Sequence, residues 1–408
     1  MSGPHLVKPT LKDIEDAASG LKGVSHVTPL EHSHTFSTLA GNDVYLKLEN
    51  LQKTGSFKLR GAFNKIAHLS DEDRLKGVIA ASAGNHAQGV AYAAGVHHAP
   101  CTIVMPESAS LAKIAATQRY GAKVVLAGHA YDDAYATALE LQNQYGYTFV
   151  HAFDDPQVIA GQGTVGLEIL EQLPSVDAVV VPMGGGGLAS GLALAVKSIQ
   201  KNVRVIGVQA ANASAFYQSF AAGVLTAVDA RATIADGIAV KRPGTMTYEL
   251  AKQYVDEIIT VEEEEIARSM VLLLERNKLV AEGAAASALA SVLYQKVTPG
   301  IGNVVVVLSG GNVDVTVLSR IIEHGLVESG RYLRLALNLA DTPGALRDLL
   351  DVFAGLRANV LSVLHRRVGS TISLGETEVE VDLETKDQNH IQSILESLQA
   401  AGYQPAIR

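Results

Sequence analysis

At 408 residues, 48% apolar and 18% charged, the chain is long enough for about two to three domains and has the composition of a packed globular protein, not a disordered one. A net charge of −9 with no basic block leaves no electrostatic footprint for nucleic acid or an anionic membrane. Cys101 is the single cysteine, which excludes an intrachain disulfide and a multi-cysteine zinc site.

Residues 1–5 carry no basic region leading into an apolar stretch, and no apolar run reaches bilayer length, so a soluble, cytoplasmic chain is expected. Residues 10–21 read as an opening helix, with Thr10 as N-cap and Asp13 three residues on. The turn at Thr28-Pro29-Leu30 leads to a short helix. From 44 to 308, short β-branched runs alternate with longer helical ones; the clearest strands are 44–48, 102–105, 123–126, 177–181, 203–208 and 304–308. Their nearly continuous apolar character suits strands covered on both faces by helices, which predicts an α/β protein with mostly parallel sheets.

Composition changes at 324–330, taken as a linker over 325–330 after a first region of 1–324. Beyond it, strand (331–339), helix (to about 356), two strands (358–367 and 376–384, the second alternating Val379, Val381 and Leu383 with Glu378, Glu380, Asp382 and Glu384), helix (389–401) and strand (403–407) follow. That order is βαββαβ, the ferredoxin-like arrangement. Glu262 to Glu265 cannot converge on one ion along a helix and read as a solvated first turn.

Four segments carry chemistry. Thr54-Gly55-Ser56-Phe57-Lys58-Leu59-Arg60-Gly61 places Lys58 mid-loop between a strand and a helix beginning near Gly61. A desolvated amine has a lowered pKa, and its neutral form condenses with a carbonyl. Ala81-Ser82-Ala83-Gly84-Asn85-His86 is a small-residue turn before a helix from about Ala87, with N–H groups suited to a carboxylate. Met183-Gly184-Gly185-Gly186-Gly187 joins a strand to a helix from Leu188, where backbone N–H groups and the helix dipole favour a phosphate. A dinucleotide is disfavoured, because the next strand ends in Gln209 where an acidic ribose ligand is required. Ser309-Gly310-Gly311-Asn312 puts a hydroxyl at the C-terminal end of a central strand, where α/β sheets place ligands.

Together, residues 56–61, 82–86, 184–187 and 309–312 resemble the fold type II pyridoxal-phosphate enzymes, whose catalytic unit is two-domain and tryptophan synthase β-like. Within that group the chain is similar to the threonine dehydratases (threonine ammonia-lyases), with Ile159-Ala160-Gly161-Gln162-Gly163-Thr164 a further match. The tail from 331 resembles an ACT domain at Asp341-Thr342-Pro343-Gly344-Ala345-Leu346. The resemblance implies a catalytic region over 1–324, a smaller subdomain at about 50–155 inserted in the larger one, and a regulatory domain over 331–408. It implies pyridoxal 5′-phosphate held covalently by Lys58, which later acts as acid and base at Cα. Phe57 would lie against the pyridine ring, Asn85 would bond its 3′-oxygen, Gly184, Gly185, Gly186 and Gly187 would hold the phosphate, and Ser309 would face the ring nitrogen. Ser82, Ala83, Gly84, Asn85 and His86 would take the substrate carboxylate, and Glu282 would lie near ring and substrate; no metal is assigned.

The activity implied is β-elimination of L-threonine to 2-oxobutanoate and ammonia, and of L-serine to pyruvate. Feedback by isoleucine through the ACT-like module, with valine as a possible opposing effector, and a homodimer or homotetramer are implied with it. The nearest rival is a serine racemase of the same fold. Racemases that resemble this sequence have a serine where this chain has Ala83, and a carboxylate metal site matching Gln209 and Ala215, which cannot supply it. A sensor with a degenerate enzymatic half is the alternative of a different class.

Overall fold

The computed structural model describes residues 7–367 and 373–408; residues 1–5, read above for a leader, lie outside them. The chain divides into two compact units, 1–314 and 315–408. In the first, the helix Leu11–Gly20 opens on the expected capping box: Thr10 Oγ1 accepts from the Asp13 N–H, and the Asp13 carboxylate accepts from the Thr10 N–H at 2.7 Å. Strands β1 (Leu30–His32) and β2 (Asp43–Lys47) then start the larger sheet. Leu30 was expected to lead straight into a helix; it forms an edge strand antiparallel to β2 instead, and the helix follows at His34–Ala40.

Strands β3 (Val78–Ala81), β4 (Cys101–Met105), β5 (Lys123–Leu126) and β6 (Thr148–Phe149) form a separate parallel sheet in the order β5-β4-β3-β6. This is the smaller α/β layer. The chain then returns to the larger sheet with β7 (Ala178–Pro182), β8 (Arg204–Ala210), β9 (Glu257–Val261) and β10 (Asn303–Val307). The order is β1-β2-β10-β7-β8-β9, parallel except at the β1 edge. Val179 to Val181 and Val304 to Val307 are fully buried, as helices on both faces require. Because β2, β10 and β7 are neighbours, the segments that follow their C-terminal ends and carry Lys58, Ser309 and the four glycines emerge side by side. A ligand of an open α/β sheet binds at such an edge.

The second unit begins with the helix Val315–Glu328, so most of the segment expected as a linker is helical. Four strands follow: β11 (Tyr332–Ala340), β12 (Asn359–Arg366), β13 (Glu376–Glu384) and β14 (Ala406–Ile407). With the helices Ala345–Gly355 and Gln388–Ala400 they realise βαββαβ, in the sheet order β12-β13-β11-β14. The alternation read in the sequence is the pairing seen here: Leu333, Leu335 and Leu337 stand opposite Leu383, Val381 and Val379, all buried under Leu349, Phe353, Ile394 and Leu398. The last strand is shorter than expected, because the Tyr403 N–H turns back to the Leu398 carbonyl and closes the preceding helix.

Candidate active site

The helix after β2 runs over Lys58–Ala67, and Phe57 is already helical at φ −59°, ψ −18°. Lys58 is therefore in the first turn of a helix, not mid-loop, with its amine aimed from a fixed backbone. Its Nζ donates to the Ala152 carbonyl at 2.8 Å and lies 5.3 Å from the centre of the Phe57 ring. Desolvation pulls its pKa down to about 8, against an opposing pull from the Glu282 carboxylate.

The glycine loop joins β7 to the helix Gly187–Ile199. Gly186 sits at φ +92° as the N-cap, a conformation that strains any side chain, and a Cβ on Gly185 would lie 2.2 Å from the Phe153 ring. Thr247 Oγ1 donates to the Gly185 carbonyl at 2.7 Å and fixes the loop from behind. The first helical N–H groups have no intrahelical acceptor, which makes this end an anion site. Ala152 and Phe153 connect the two features: one accepts from the lysine, the other packs on the glycines.

The third segment starts the helix Asn85–Val96, with Gly84 as N-cap and Ser82 Oγ accepting the Gly84 N–H at 3.2 Å. Asn85 does not present a free amide. Its Nδ2 donates to both oxygens of Glu282, at 2.8 and 2.9 Å, and its Oδ1 accepts from Asn312 Nδ2 at 2.8 Å. The His86 ring is buried with Nε2 2.8 Å from the Val150 carbonyl, and burial drives its pKa down to about 3. Burial thus keeps the ring neutral, and the His86 N–H is among the first of the helix.

Ser309 is 3% exposed, and its carbonyl accepts the Phe57 N–H at 3.1 Å. An isolated antiparallel bridge between Ser56 and Gly310 ties the same two loops. Glu282, the N-cap of the helix Gly283–Leu293, donates its own N–H to the Gly310 carbonyl at 3.1 Å. Lys58, Phe57, Ser309, Asn85, Glu282 and the glycines are thus brought together, while Ser82, Ala83 and Gly84 form the turn between β3 of the smaller sheet and the Asn85 helix. Residues 151–155 escaped the sequence reading. Their signal was available in Asp155-Pro156, an N-cap followed by proline in the first helical turn.

Burial raises the Glu282 pKa to about 7 although Asn85 opposes it. Between its ordinary value near 4.5 and about 7 the folded state holds a proton that the unfolded state has released, so this group's contribution to stability falls as pH rises through that window. Glu282→Gln in the apoprotein should therefore flatten the decline in unfolding free energy, measured by urea denaturation, between pH 5 and 7.5 by an amount on the order of a few kcal/mol. Equal pH slopes for the two proteins would refute the assignment.

An aldehyde cofactor with a phosphate tail needs an amine that sheds its proton more readily than an ordinary lysine, an anion nest within its reach and a ring-binding face. Lys58, the glycine loop and Phe57 with Ser309 meet these requirements. The buried Ser56 Oγ and Thr54 Oγ1 beside them have no hydrogen-bond partner among the described residues.

Comparison with known proteins agrees with this chemistry. The family described as pyridoxal-phosphate dependent enzyme matches residues 22–310. An L-threonine ammonia-lyase of Thermotoga maritima is 52% identical over 98% of this chain and 99% of its own length. An L-threonine dehydratase (catabolic TdcB) of Escherichia coli K12 is 46% identical over 76% of this chain and 95% of its own. Among solved structures, the processed form of threonine deaminase isoform 2 from Solanum lycopersicum superposes with a TM-score of 0.74 at 36% identity, covering 79% of this chain and 98% of its own. Maize serine racemase reaches the same TM-score at 33% identity, over 78% of this chain and 98% of its own. With a buried lysine, a glycine loop at a helix N-terminus and the Phe57 ring held at one sheet edge, and these relatives matching along nearly their whole length, the chain is an enzyme that uses pyridoxal phosphate and belongs to the pyridoxal-phosphate dependent enzyme family.

Proposed function

We propose that the chain deaminates L-threonine to 2-oxobutanoate and ammonia by β-elimination, and L-serine to pyruvate. The observation that carries this reading is the Lys58 amine, half neutral near pH 8 and held 2.8 Å from the Ala152 carbonyl beside the phosphate nest. Lys58 would hold the cofactor's aldehyde carbon and Gly184 to Gly187 its phosphate. When bound there, pyridoxal phosphate supplies an electron sink for the charge released at Cα.

The residues of the chain do the rest. The first-turn N–H groups at 84–87 orient the substrate carboxylate, and the freed Lys58 amine takes the Cα proton. Ser309, a hydroxyl, would not keep a ring nitrogen firmly protonated, which would favour departure of the β-hydroxyl as water, its extra proton balancing the one Lys58 takes from Cα, over return of that proton to Cα. The released product takes up water and loses ammonia to give the 2-oxo acid.

Support for elimination over racemisation comes from two positions. Ala83 offers no proton donor opposite Lys58. The Gln209 amide is spent internally, with Nε2 donating to the Met183 carbonyl at 3.0 Å and Oε1 accepting from the Tyr217 N–H at 2.9 Å. A 2-oxo-acid assay on threonine and serine, run beside a D-serine assay, tests the reading. Formation of D-serine without 2-oxo acid defeats it.

The second unit is read as an ACT-like regulatory module for an amino-acid effector, isoleucine with valine opposing. In support, a cleft of about 200 Å³ opens at the turn after β11, lined by Leu339, Asp341, Thr342, Gly344, His365 and Arg367, which offers charged groups beside apolar wall. An effector acts only by preferring one state of the assembly, so the reading includes a homodimer or homotetramer, in the cytoplasm. A chain ending at residue 328 should keep threonine deamination and lose its inhibition by isoleucine. Inhibition of the truncated enzyme at unchanged isoleucine concentrations removes the regulatory assignment.

A further inference from the structure

Residues 234–241 connect the helices Ala215–Ala222 and Thr245–Tyr254 without regular structure beyond the short turn Asp236–Ile238. This segment lies on the catalytic groups. The Ile238 Cα is 2.8 Å from where a Cβ on Gly184 would sit, and Glu282 Oε1 is 3.4 Å from the same point on Gly237. The segment is held to the larger layer by Ile234, whose N–H donates to Glu263 at 2.8 Å, and is folded back on the preceding part of the same connection by the Lys241 carbonyl, which accepts from Val228 at 2.8 Å.

Its other attachments cross to the smaller layer. Asp236 Oδ2 lies 3.1 Å from Lys113 Nζ on the helix Leu111–Gln118, and Lys241 Nζ lies 2.8 Å from Asp132 Oδ2 on the helix Tyr131–Tyr145. The two pairs have opposite polarity: the strap offers an anion at one end and a cation at the other, and the smaller layer offers the complements. Either pair alone is exposed and weak, so the pairs can open and close reversibly under thermal motion. A salt bridge serving stability alone has no reason to end on a segment in contact with both the phosphate nest and Glu282.

We propose that residues 234–241 form a strap latched across the active site by the Lys113–Asp236 and Asp132–Lys241 pairs, which position it on the glycine loop and Glu282 and thereby hold cofactor and substrate in place. The proposal rests on the cofactor site and not on which amino acid is the substrate. Breaking the outer pair frees one end of the strap, and reversing one charge turns an attraction into a repulsion.

The test uses the holoenzyme of Asp132→Lys, Lys241→Asp and the double swap Asp132→Lys/Lys241→Asp, because this pair is the farther from the reacting groups. Hydrogen exchange of the 234–241 amides and release of pyridoxal phosphate to an apoenzyme trap are read first, then KM and kcat on threonine. Each single reversal should speed strap exchange and cofactor release about fivefold and raise KM with kcat within about twofold. The swap should return all three to within about twofold of wild type, and 0.5 M salt should shrink the difference. Exchange and release unchanged in the single variants, or a swap that behaves as the sum of its two parts, overturns the latch. If threonine is not turned over at all, exchange and release still decide it.

Discussion

Lys58→Ala should lose at least about 10³-fold in turnover while keeping the fold, because the proposed mechanism gives one side chain both tasks, cofactor anchor and base at Cα. A loss of that size corresponds to about 4 kcal/mol of transition-state stabilisation. The folded state should barely register the change: the Lys58 amine makes a single hydrogen bond, to Ala152, and desolvation already disfavours its charge. Circular dichroism and the urea midpoint, compared between the two apoproteins so that cofactor linkage is absent, should therefore match, while the visible absorption of the covalently held cofactor disappears from purified protein. A small primary amine added to the variant should restore part of the activity, since the missing group is an amine and the remaining site is intact. Near wild-type turnover of Lys58→Ala would defeat the mechanism outright, and a sensor that does not hold the cofactor covalently would show no visible absorption even before mutation.

Legibility in the sequence followed the physics of each element. The buried valine runs of β7 and β10 and the alternating β13 announced themselves because burial on two faces or on one imposes its own pattern of apolar residues. The glycine loop was legible because only glycine tolerates φ +92° at Gly186 and the approach of Phe153 to Gly185. The helix start at Lys58 was not, since Phe57 makes no side-chain cap and the turn is fixed by long-range bonds to the Ser309 loop. The helix over 315–328 was missed for a related reason: a change of composition marks a change of module, and the helix belongs to the later one. At the site, residue types were readable but partners were not. Asn85 lies 197 residues from the Glu282 it binds, and no local spacing encodes that pairing.

Arg60→Met should cost about 3–5 kcal/mol of stability, the largest structural effect expected of a single surface-inaccessible substitution here. Arg60 is 1% exposed and two residues beyond Lys58 on the same helix. Its guanidinium binds Glu49 through Nε at 2.9 Å and Nη2 at 2.8 Å, and Glu168 through Nη1 at 2.6 Å and Nη2 at 3.0 Å. Lys47 Nζ completes the cluster, 2.6 Å from Glu168 and 2.9 Å from Gln172 Oε1. Two cations thus face two anions in the interior. Desolvation alone would push the Glu49 pKa up, but the Arg60 charge and hydrogen bonds outweigh it and hold the carboxyl below its ordinary value. A depressed carboxylate stabilises the fold above its unfolded pKa and loses that contribution as pH falls through the lower folded value. In Arg60→Met the largest of those opposing charges is gone, burial prevails, and Glu49 becomes a group that prefers to be protonated when folded. The deficit of the variant should then be greatest at pH 7 and shrink as pH falls toward the ordinary carboxylate range. Urea midpoints at pH 7 and pH 5, taken at saturating pyridoxal phosphate so that ligand linkage is constant, measure it. Pairing the change with Glu49→Gln removes the uncompensated anion and should recover part of the loss. A single variant within 1 kcal/mol of wild type at pH 7 would mean that water or backbone movement solvates Glu49, and that the cluster does not hold the Lys58 helix.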